Sequence, residues 1–265
     1  MQLDDDTKDG IERTSEHVQS LERGLSVLRV FADERGPLTL TEVAERGRLS
    51  KAVARRLLMT LESLGYVGRD HRQFFLLPRT LELGYSYLSS LSLTEMLQPR
   101  LNTLAAKFAE ETSAAVLDRA FVIYVARARS GRLATNSLAV GDRVPAHSVS
   151  TGLVLLADLP EDELAEYFEV SQRDQFTDRT VVDEAALREE LSQVRAQGWA
   201  LVAGRLSPHV LAISAPVRGK DGRAVAAIKA GSQGTLRSPE QMIEEVLPDL
   251  LTTAAAASRD LALNL

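Results

Sequence analysis

The feature that most constrains the fold is a pair of short, capped helices in the first third of the chain. Thr39 and Glu42 have the spacing of a capping box, in which a hydroxyl and a carboxylate each satisfy a free backbone group where a helix begins. Ser50 is placed to cap a second helix, and Gly65 follows it where a left-handed residue closes a helix. Two capped helices with so short a connection predict a helix-turn-helix.

The residues on either side of this pair complete a winged domain. A preceding helix, which Ser20 would cap, ends at Gly36–Pro37, and after Gly65 two apolar segments flank the polar tip Arg69–Gln73, as in a β-hairpin. Helical spacing predicts that the preceding helix and the second helix of the pair each bury one stripe of apolar side chains. The stripes are Leu21, Leu25, Val27, Leu28 and Phe31 in the first helix, and Val53, Leu57, Leu61 and Leu64 in the second helix of the pair.

This arrangement indicates DNA binding. A helix-turn-helix places the N-terminal half of its second helix in the major groove, and a hairpin behind it can contact the backbone or the minor groove. The alternative is a three-helix unit with a solvated basic face. The residues predicted to contact DNA are Thr39, Thr41, Ser50, Lys51, Ala54, Arg55, Arg56, Arg69 and Arg72.

The distribution of charge agrees with this prediction, although the total does not suggest nucleic acid. The chain of 265 residues has a net charge of −6. Residues 18–80 carry eleven bases against seven acids, a net charge of +4, whereas residues 1–17 carry six acids against two bases. A basic module within an acidic chain is expected if only that module meets phosphate.

Several classes of protein are disfavoured. The chain has no cysteine, which excludes disulfides and thiolate metal sites, and it has neither a signal peptide nor an apolar run of ~20 residues. We therefore expect a cytoplasmic protein without membrane contact. No metal-ligand spacing, glycine-rich phosphate loop or Gly-x-Ser-x-Gly elbow is present, so we expect neither an enzyme nor a cofactor.

The remaining two thirds of the chain predict an α+β domain with a mostly antiparallel sheet. The proposed division is a disordered acidic arm at 1–17, a winged helix-turn-helix at 18–79, a linker helix at 80–94 and a second domain at 95–265. The second domain is predicted to begin with a helix that ends near Thr112. Further strands are predicted at 115–117, 122–126, 133–140, 199–203, 210–217 and 224–230, and helices at 151–159, 160–168, 182–197 and 238–263.

Motifs in both parts of the chain resemble the IclR family of bacterial transcriptional regulators. In the first part they are SLERGL at 20–25, LTLTEVA at 38–44, LGYV at 64–67 and LELG at 81–84. In the second they are YVAR at 124–127, PAH at 145–147, VLLA at 154–157, QGWA at 197–200 and APV at 215–217. The segment 84–91 resembles the subgroup of protocatechuate and β-ketoadipate regulators.

The resemblance implies a GAF-like effector domain, dimerisation through the DNA-binding domains and, often, a dimer of dimers. It also implies that a small organic acid, here of the aromatic class, shifts affinity for operator DNA, with repression or activation of catabolic genes as the output. The alternative is a DNA-binding regulator whose second domain only oligomerises. The effector positions carried over by motif, with Arg127 added as a candidate carboxylate anchor, are Arg127, Leu133, Asn136, Val144, Ser150, Thr151, Val202, Val210, Ala212, Lys229 and Gly231.

Two of these residues are cations that could hold a carboxylate, Lys229 and Arg127. Lys229 could instead extend from an edge strand to solvent, and Arg127 could pair with a surface acid. Two departures from the family pattern affect this site. Leu153 stands where Arg or Lys is frequent, and residues 204–209, with Arg205, replace an acidic stretch. They are compatible with a more anionic ligand or with a domain that no longer senses one.

Overall fold

The structure is a computed structural model of the chain, and it describes residues 17–32, 36–84, 93–129, 138–233 and 237–264. The chain divides into two compact units, Met1–Ser90 and Leu91–Leu265. The predicted acidic arm at 1–17 lies almost wholly outside the described residues.

The described part of the first unit up to residue 76 contains three helices and a small antiparallel sheet. Its strands lie in the order β1-β3-β2, and its core includes Val27, Val43, Leu58 and Val67, all without exposed surface. The elements are α1 (Gln19–Ala32), β1 (Leu38–Thr39), α2 (Leu40–Arg46), α3 (Lys51–Ser63), β2 (Val67–Asp70) and β3 (Gln73–Leu76).

The wing of this unit and its predicted caps at Thr39 and Ser50 are confirmed. Thr39 and Glu42 form the capping box, and the Ser50 hydroxyl accepts from the Val53 amide at 3.3 Å. Gly65 adopts φ +78°, the left-handed conformation that favours glycine. Strands β2 and β3 pair in the predicted hairpin, with residues 71 and 72 between them.

The stripe predicted for α3 is partly wrong. Leu61 is buried as predicted, and Leu64 is 51% exposed. Ala54 and Leu58 are buried in place of their neighbours Val53 and Leu57, which are partly exposed. The buried face of α3 is therefore displaced around the helix by up to one residue, ~100°, from the predicted stripe. In α1, which begins at Gln19 rather than after a Ser20 cap, Leu21 and Leu25 are exposed. Strand β1 was not predicted.

The predicted linker helix, 80–94, is described only in part. A 3₁₀ turn, Pro78–Thr80, leads into a helical turn at 81–84, and residues 85–92 lie outside the described chain. The next helix begins at Leu93, close to residue 95, where the second domain is predicted to begin.

The second unit is an α+β domain built on one six-stranded sheet, in which every pairing is antiparallel. The strand order is β6-β5-β4-β9-β8-β7. The strands are β4 (Thr112–Asp118), β5 (Phe121–Ala128), β6 (Arg143–Pro145), β7 (Ala200–Ala203), β8 (Val210–Arg218) and β9 (Ala224–Gln233). The helices are α4 (Leu93–Phe108), α5 (Ser150–Asp158), α6 (Glu161–Val170), α7 (Glu184–Gln197) and α8 (Leu247–Asn264).

Helix α5 packs on one face of this sheet and is buried along residues 150–157. Helix α8 packs against β8, β9 and α4. Because side chains alternate along a strand, Ser214 on β8 faces α5, while the neighbouring Ile213 and Ala215 face the other side of the sheet. The sheet thus has an α5 face and an opposite face, and both are buried.

Most predicted elements of this unit are confirmed, and four details differ. Helix α4 ends at Phe108, and Thr112 already belongs to β4. The strand predicted at 133–140 lies mostly outside the described chain, and its described end, 138–140, is not a strand. Strand β6 was missed. The predicted last helix contains a π-helical segment, Met242–Val246, before α8.

Candidate nucleic-acid interface and effector cavity

A surface groove of the first unit lies between the start of α2, helix α3 and the wing. It brings together five of the residues predicted to contact DNA, from four different elements. The residues lining it are Thr39, Leu40, Thr41, Arg55, Met59, Arg69, His71, Arg72 and Phe74.

The capping box determines where this groove begins. The Thr39 amide and hydroxyl both donate to Glu42 Oε2 at 2.7 Å, and these hydrogen bonds hold the pKa of Glu42 below its usual value. An ionised Glu42 keeps the box closed at neutral pH. Thr39 and Thr41 are therefore held at the mouth of the groove.

The cations of the groove differ in how they are paired. Arg55 and Arg72 are exposed and form no ion pair with a described residue. Arg69 Nε lies 3.5 Å from Glu62 Oε1, so part of its charge is neutralised. Arg55 and Arg72 are consequently the arginines most available to an incoming polyanion.

Four predicted contact residues lie outside this groove. Ala54 is fully buried in the core, so its side chain is not available to a base, and that prediction is wrong. Arg56 follows Arg55 by ~100° around the helix and lines a second groove, between α1 and α3, together with Leu21 and Thr60. Ser50 and Lys51 are exposed at the start of α3 but do not line either groove.

The second unit contains a cavity of about 100 Å³ on the α5 face of the sheet. Its walls come from β5, β7, β8, β9, the start of α5 and the segment between β7 and β8. The lining residues are Glu111, Tyr124, Leu138, Ser148, Val149, Ser150, Val202, Leu206, Ser207, Val210, Ala212, Lys229 and Gly231.

Strand register explains which residues share the cavity floor. Gly231 on β9 pairs with Ala212 on β8, and Ala212 pairs with Val202 on β7, which forms a smooth apolar row. One step along the strands, Lys229 pairs with Ser214. Paired residues point to the same face, so the polar row lies directly beside the apolar one.

A change of register in the hairpin β4–β5 brings Tyr124 to this face. Ala114 pairs with Ala126 but Ala115 pairs with Tyr124, so β5 contains one extra residue at a β-bulge. The Tyr124 hydroxyl lies 3.5 Å from Thr151 Oγ1 at the start of α5. No pattern in the sequence marked this bulge, which explains why Tyr124 was not predicted as a cavity residue.

Lys229 is the cationic group of the cavity wall, and its side chain is 9% exposed. Its Nζ lies 3.5 Å from Glu111 Oε1 and 5.5 Å from the centroid of the Tyr124 ring. The first distance exceeds the ~2.8 Å of a charge-assisted hydrogen bond. Among the described residues the ammonium group has no hydrogen-bond acceptor, so its donors are available within the cavity.

The start of α5 supplies a second polar group. Ser150 Oγ lies 2.7 Å from Ser214 Oγ, and the cap residue, Val149, has no side chain that could accept from the first backbone amides. An uncapped helix N-terminus carries partial positive charge. The cavity therefore has a positive end, formed by Lys229 and the first turn of α5, and an apolar end, formed by Val202, Ala212 and their neighbours.

The structure brings together six of the predicted effector residues and places three others outside the cavity lining. Arg127 donates to Glu111 instead, Val144 packs in the core, and Thr151 is buried beside Tyr124. Leu133 and Asn136 lie outside the described residues. The six that line the cavity are Ser150, Val202, Val210, Ala212, Lys229 and Gly231.

The two departures from the family pattern have structural explanations. Leu153 is fully buried within the core under α5 and does not line the cavity. Arg205 Nη2 donates to both oxygens of Glu190, at 2.6 and 2.7 Å, so its charge is neutralised outside the cavity. Neither side chain lines the cavity, although Leu206 and Ser207 beside Arg205 do form part of its wall.

His147 braces the turn before α5. Its Nε2 lies 3.0 Å from the Asp174 carbonyl oxygen, and its ring stacks on Phe176. Burial lowers the pKa of His147, and the nearby Arg173 and Arg205 lower it further, so the ring is neutral at pH 7. His147 is therefore a structural residue beside the cavity.

Family models match both units. The model described as the IclR helix-turn-helix domain matches residues 20–71, and that of the bacterial transcriptional regulator IclR C-terminal domain matches residues 85–259. The chain belongs to the IclR family. It is thus a DNA-binding transcriptional regulator, and the α+β fold with a helix-turn-helix at the N-terminus is the family's.

Curated IclR relatives cover nearly the whole chain. The p-hydroxybenzoate hydroxylase transcriptional activator of Acinetobacter baylyi is 36% identical over 247 residues, covering 91% of each chain. The Pca regulon regulatory protein of Pseudomonas putida is 35% identical over 243 residues, which cover 91% of this chain and 82% of that protein. Both names agree with the predicted subgroup.

A solved IclR homolog with a bound ligand has the same fold. The homolog from Microbacterium hydrocarbonoxydans, crystallised in complex with 4-hydroxybenzoate, superimposes with a TM-score of 0.79 at 25% identity and covers 92% of this chain and 99% of that one. Within the described ranges of the present regulator, no helix combines the length and apolar character needed to span a bilayer.

Proposed function

We propose that this regulator binds a small aromatic monocarboxylic acid in the cavity of its second unit, and that the bound acid changes its affinity for operator DNA. The observation that carries this proposal is Lys229, an almost buried ammonium group with unused donors at the end of an apolar cavity. A buried cation without full hydrogen bonding is costly, and a ligand carboxylate would relieve that cost.

The size and shape of the cavity limit the ligand. About 100 Å³ is too small for a nucleotide or a peptide and suits one small organic molecule. The apolar row of Gly231, Ala212 and Val202 would contact a ring, while the acid would face Lys229 and the first turn of α5. The 4-hydroxybenzoate complex of the Microbacterium homolog and the name of the Acinetobacter activator support an aromatic acid.

The first unit would contact DNA through the groove between α3 and the wing. Arg55 would reach base edges in the major groove, and Arg72 at the tip of the wing would contact phosphates. Ser50 and Lys51 would lie over the backbone at the start of α3. A regulator that makes these contacts would act in the cytoplasm, where operator DNA is.

A homodimer, with a dimer of dimers as a further assembly, would present two such units to one operator. Val18, just before α1, and Leu21 and Leu25 within α1 are exposed, with 58%, 62% and 44% of their surface accessible. A row of exposed apolar side chains on one helix is typical of an interface between protein chains. We propose that this row is covered by the same helix of a second copy.

The test is calorimetric titration of the full chain with benzoate, 4-hydroxybenzoate and 3,4-dihydroxybenzoate. We expect at least one acid to bind, and Lys229→Met to weaken its binding by ~10-fold or more, because a charge-assisted hydrogen bond is lost. Lys220→Met is the matched control, since Lys220 is exposed in the β8–β9 turn. The acid that binds should also change the affinity for operator DNA.

The competing function is a regulator whose second unit only oligomerises. No binding of any acid in a broad panel of aromatic and short-chain acids, with DNA binding intact, would favour that function. Equal loss of acid binding in Lys229→Met and Lys220→Met would argue against Lys229 as the anchor.

A further inference from the structure

Glu111 is a carboxylate in the wall of a cavity that is otherwise suited to receive one. It lines the cavity itself, and its side chain is only 9% exposed. Its backbone carbonyl accepts from the Gly231 amide at 3.0 Å, which holds it beside the apolar floor. Sequence reasoning did not single it out.

The charges around Glu111 nearly cancel. One oxygen faces Lys229 at 3.5 Å, and the other accepts from Arg127, whose side chain is 14% exposed. Arg129 Nε lies 3.8 Å from the second oxygen, but its side chain is 43% exposed and solvent screens it. Among the described residues, the buried charges at this end are therefore two cations and one carboxylate, a net charge of +1.

We propose that Glu111 is a specificity-determining residue that restricts the cavity to monoanions. A single ligand carboxylate neutralises the remaining positive charge, whereas a second one would be buried without a counter-ion and close to Glu111. Because Coulomb interactions are strong at low exposure, that second charge is opposed by repulsion as well as by desolvation. This inference rests on the proposed function, since it assumes that the cavity binds acids.

The experiment separates charge from size by using two pairs of ligands with nearly equal volume. Isophthalate is compared with 3-carbamoylbenzoate, and succinate with succinamate, at pH 7.5, where each diacid is a dianion and each monoamide a monoanion. Calorimetry on the full chain gives the ratio of affinities within each pair. Benzoate is titrated in parallel as the reference monoanion.

For the wild-type chain we expect each monoamide that binds to do so ~10-fold or more tightly than its diacid, because the two differ mainly in the second charge. In Glu111→Gln, which keeps the size and one acceptor, this ratio should shrink by ~5-fold or more. Glu111→Asp should keep it. The matched control is Glu110→Gln, because Glu110 is an even more deeply buried carboxylate that pairs with Arg237 and lies outside the cavity.

Several results would overturn the proposal: equal affinities within both pairs for the wild-type chain, an unchanged ratio in Glu111→Gln, or the same shrinkage in Glu110→Gln. Binding of benzoate without binding of either monoamide would also overturn it, because size and not charge would then select. If Glu111→Gln does not fold, the proposal is tested by the affinity ratios of the wild-type chain and of Glu111→Asp, both of which should favour the monoamide over its diacid. Absence of any acid binding, benzoate included, would instead refute the proposed function.

Discussion

The groove of the first unit and the cavity of the second both present cations to an anion, but they hold these cations differently. Arg55 and Arg72 are exposed and unpaired with any described residue, while Lys229 and Arg127 are nearly buried and share Glu111. Exposed arginines keep their hydration until they meet phosphate, and the affinity they provide comes largely from released counter-ions. Buried, paired cations would instead bind a single small anion.

Formal charge alone therefore does not identify an anion site. Arg205 and Arg69 are as cationic as Arg55, yet each faces a glutamate and is less available to a ligand. The shape of the cavity depends on close packing around its floor, whereas the charge that the groove presents depends on which side chains project from α3. The following variants test that distinction.

The largest expected effect concerns the cavity floor. Gly231 has φ +146°, and an added Cβ would lie 2.2 Å from the Leu211 carbonyl oxygen. We therefore expect Gly231→Ala to lower the free energy of unfolding by on the order of 3 kcal/mol, measured by urea unfolding of the full chain. The control is Gly24→Ala in α1, where nothing lies within 4 Å of the new methyl group. It should raise stability by about 0.5–1 kcal/mol, and a tolerated Gly231→Ala would show that the floor is not rigid.

A smaller effect distinguishes the two faces of α3. Arg55→Ala should weaken operator binding by roughly 10-fold or more and relax base preference, because a base contact is lost. Arg56→Ala, one residue further around the helix, should leave base preference unchanged. Fluorescence anisotropy with operator and random duplexes measures both. Equal losses on the two duplexes for Arg55→Ala would contradict its place in the groove.

The smallest effect is a pH dependence confined to the second unit. Because burial lowers the pKa of His147 in the folded protein, the unfolded chain binds the proton more readily. The stability contributed by neutral His147 is present above the unfolded-state pKa, about 6.5, and is lost as the pH falls below it. We expect up to ~1.4 kcal/mol per pH unit of this slope to disappear in His147→Gln.

Urea unfolding at pH 5.0, 5.5, 6.0, 6.5 and 7.5 measures this slope. His71→Gln, which replaces an exposed histidine of the wing, is the matched control. Gln can still donate to the Asp174 carbonyl, so a loss of stability that is the same at every pH would mean that packing, not protonation, is responsible.

Local patterns in the sequence determined the elements. The capping box at Thr39, the cap at Ser50, the left-handed Gly65 and Gly198, and the strands β8 and β9 follow from interactions between residues a few positions apart. The resemblance to the IclR family added the location of the effector site. The resemblance predicted Ser150, Lys229 and Gly231 as effector positions, and all three line the cavity.

Tertiary structure alone decided how side chains from distant segments meet. The buried face of α3 includes Ala54, which is therefore absent from the surface predicted to contact DNA. The bulge in β5 places Tyr124 on the same face of the sheet as Lys229. The pairing of Glu111 with Arg127 and Lys229 joins the residue just before β4 to strands β5 and β9, and no local pattern records it. Register and ion pairing depend on packing between segments far apart in the chain, so neighbouring residues carry little information about them.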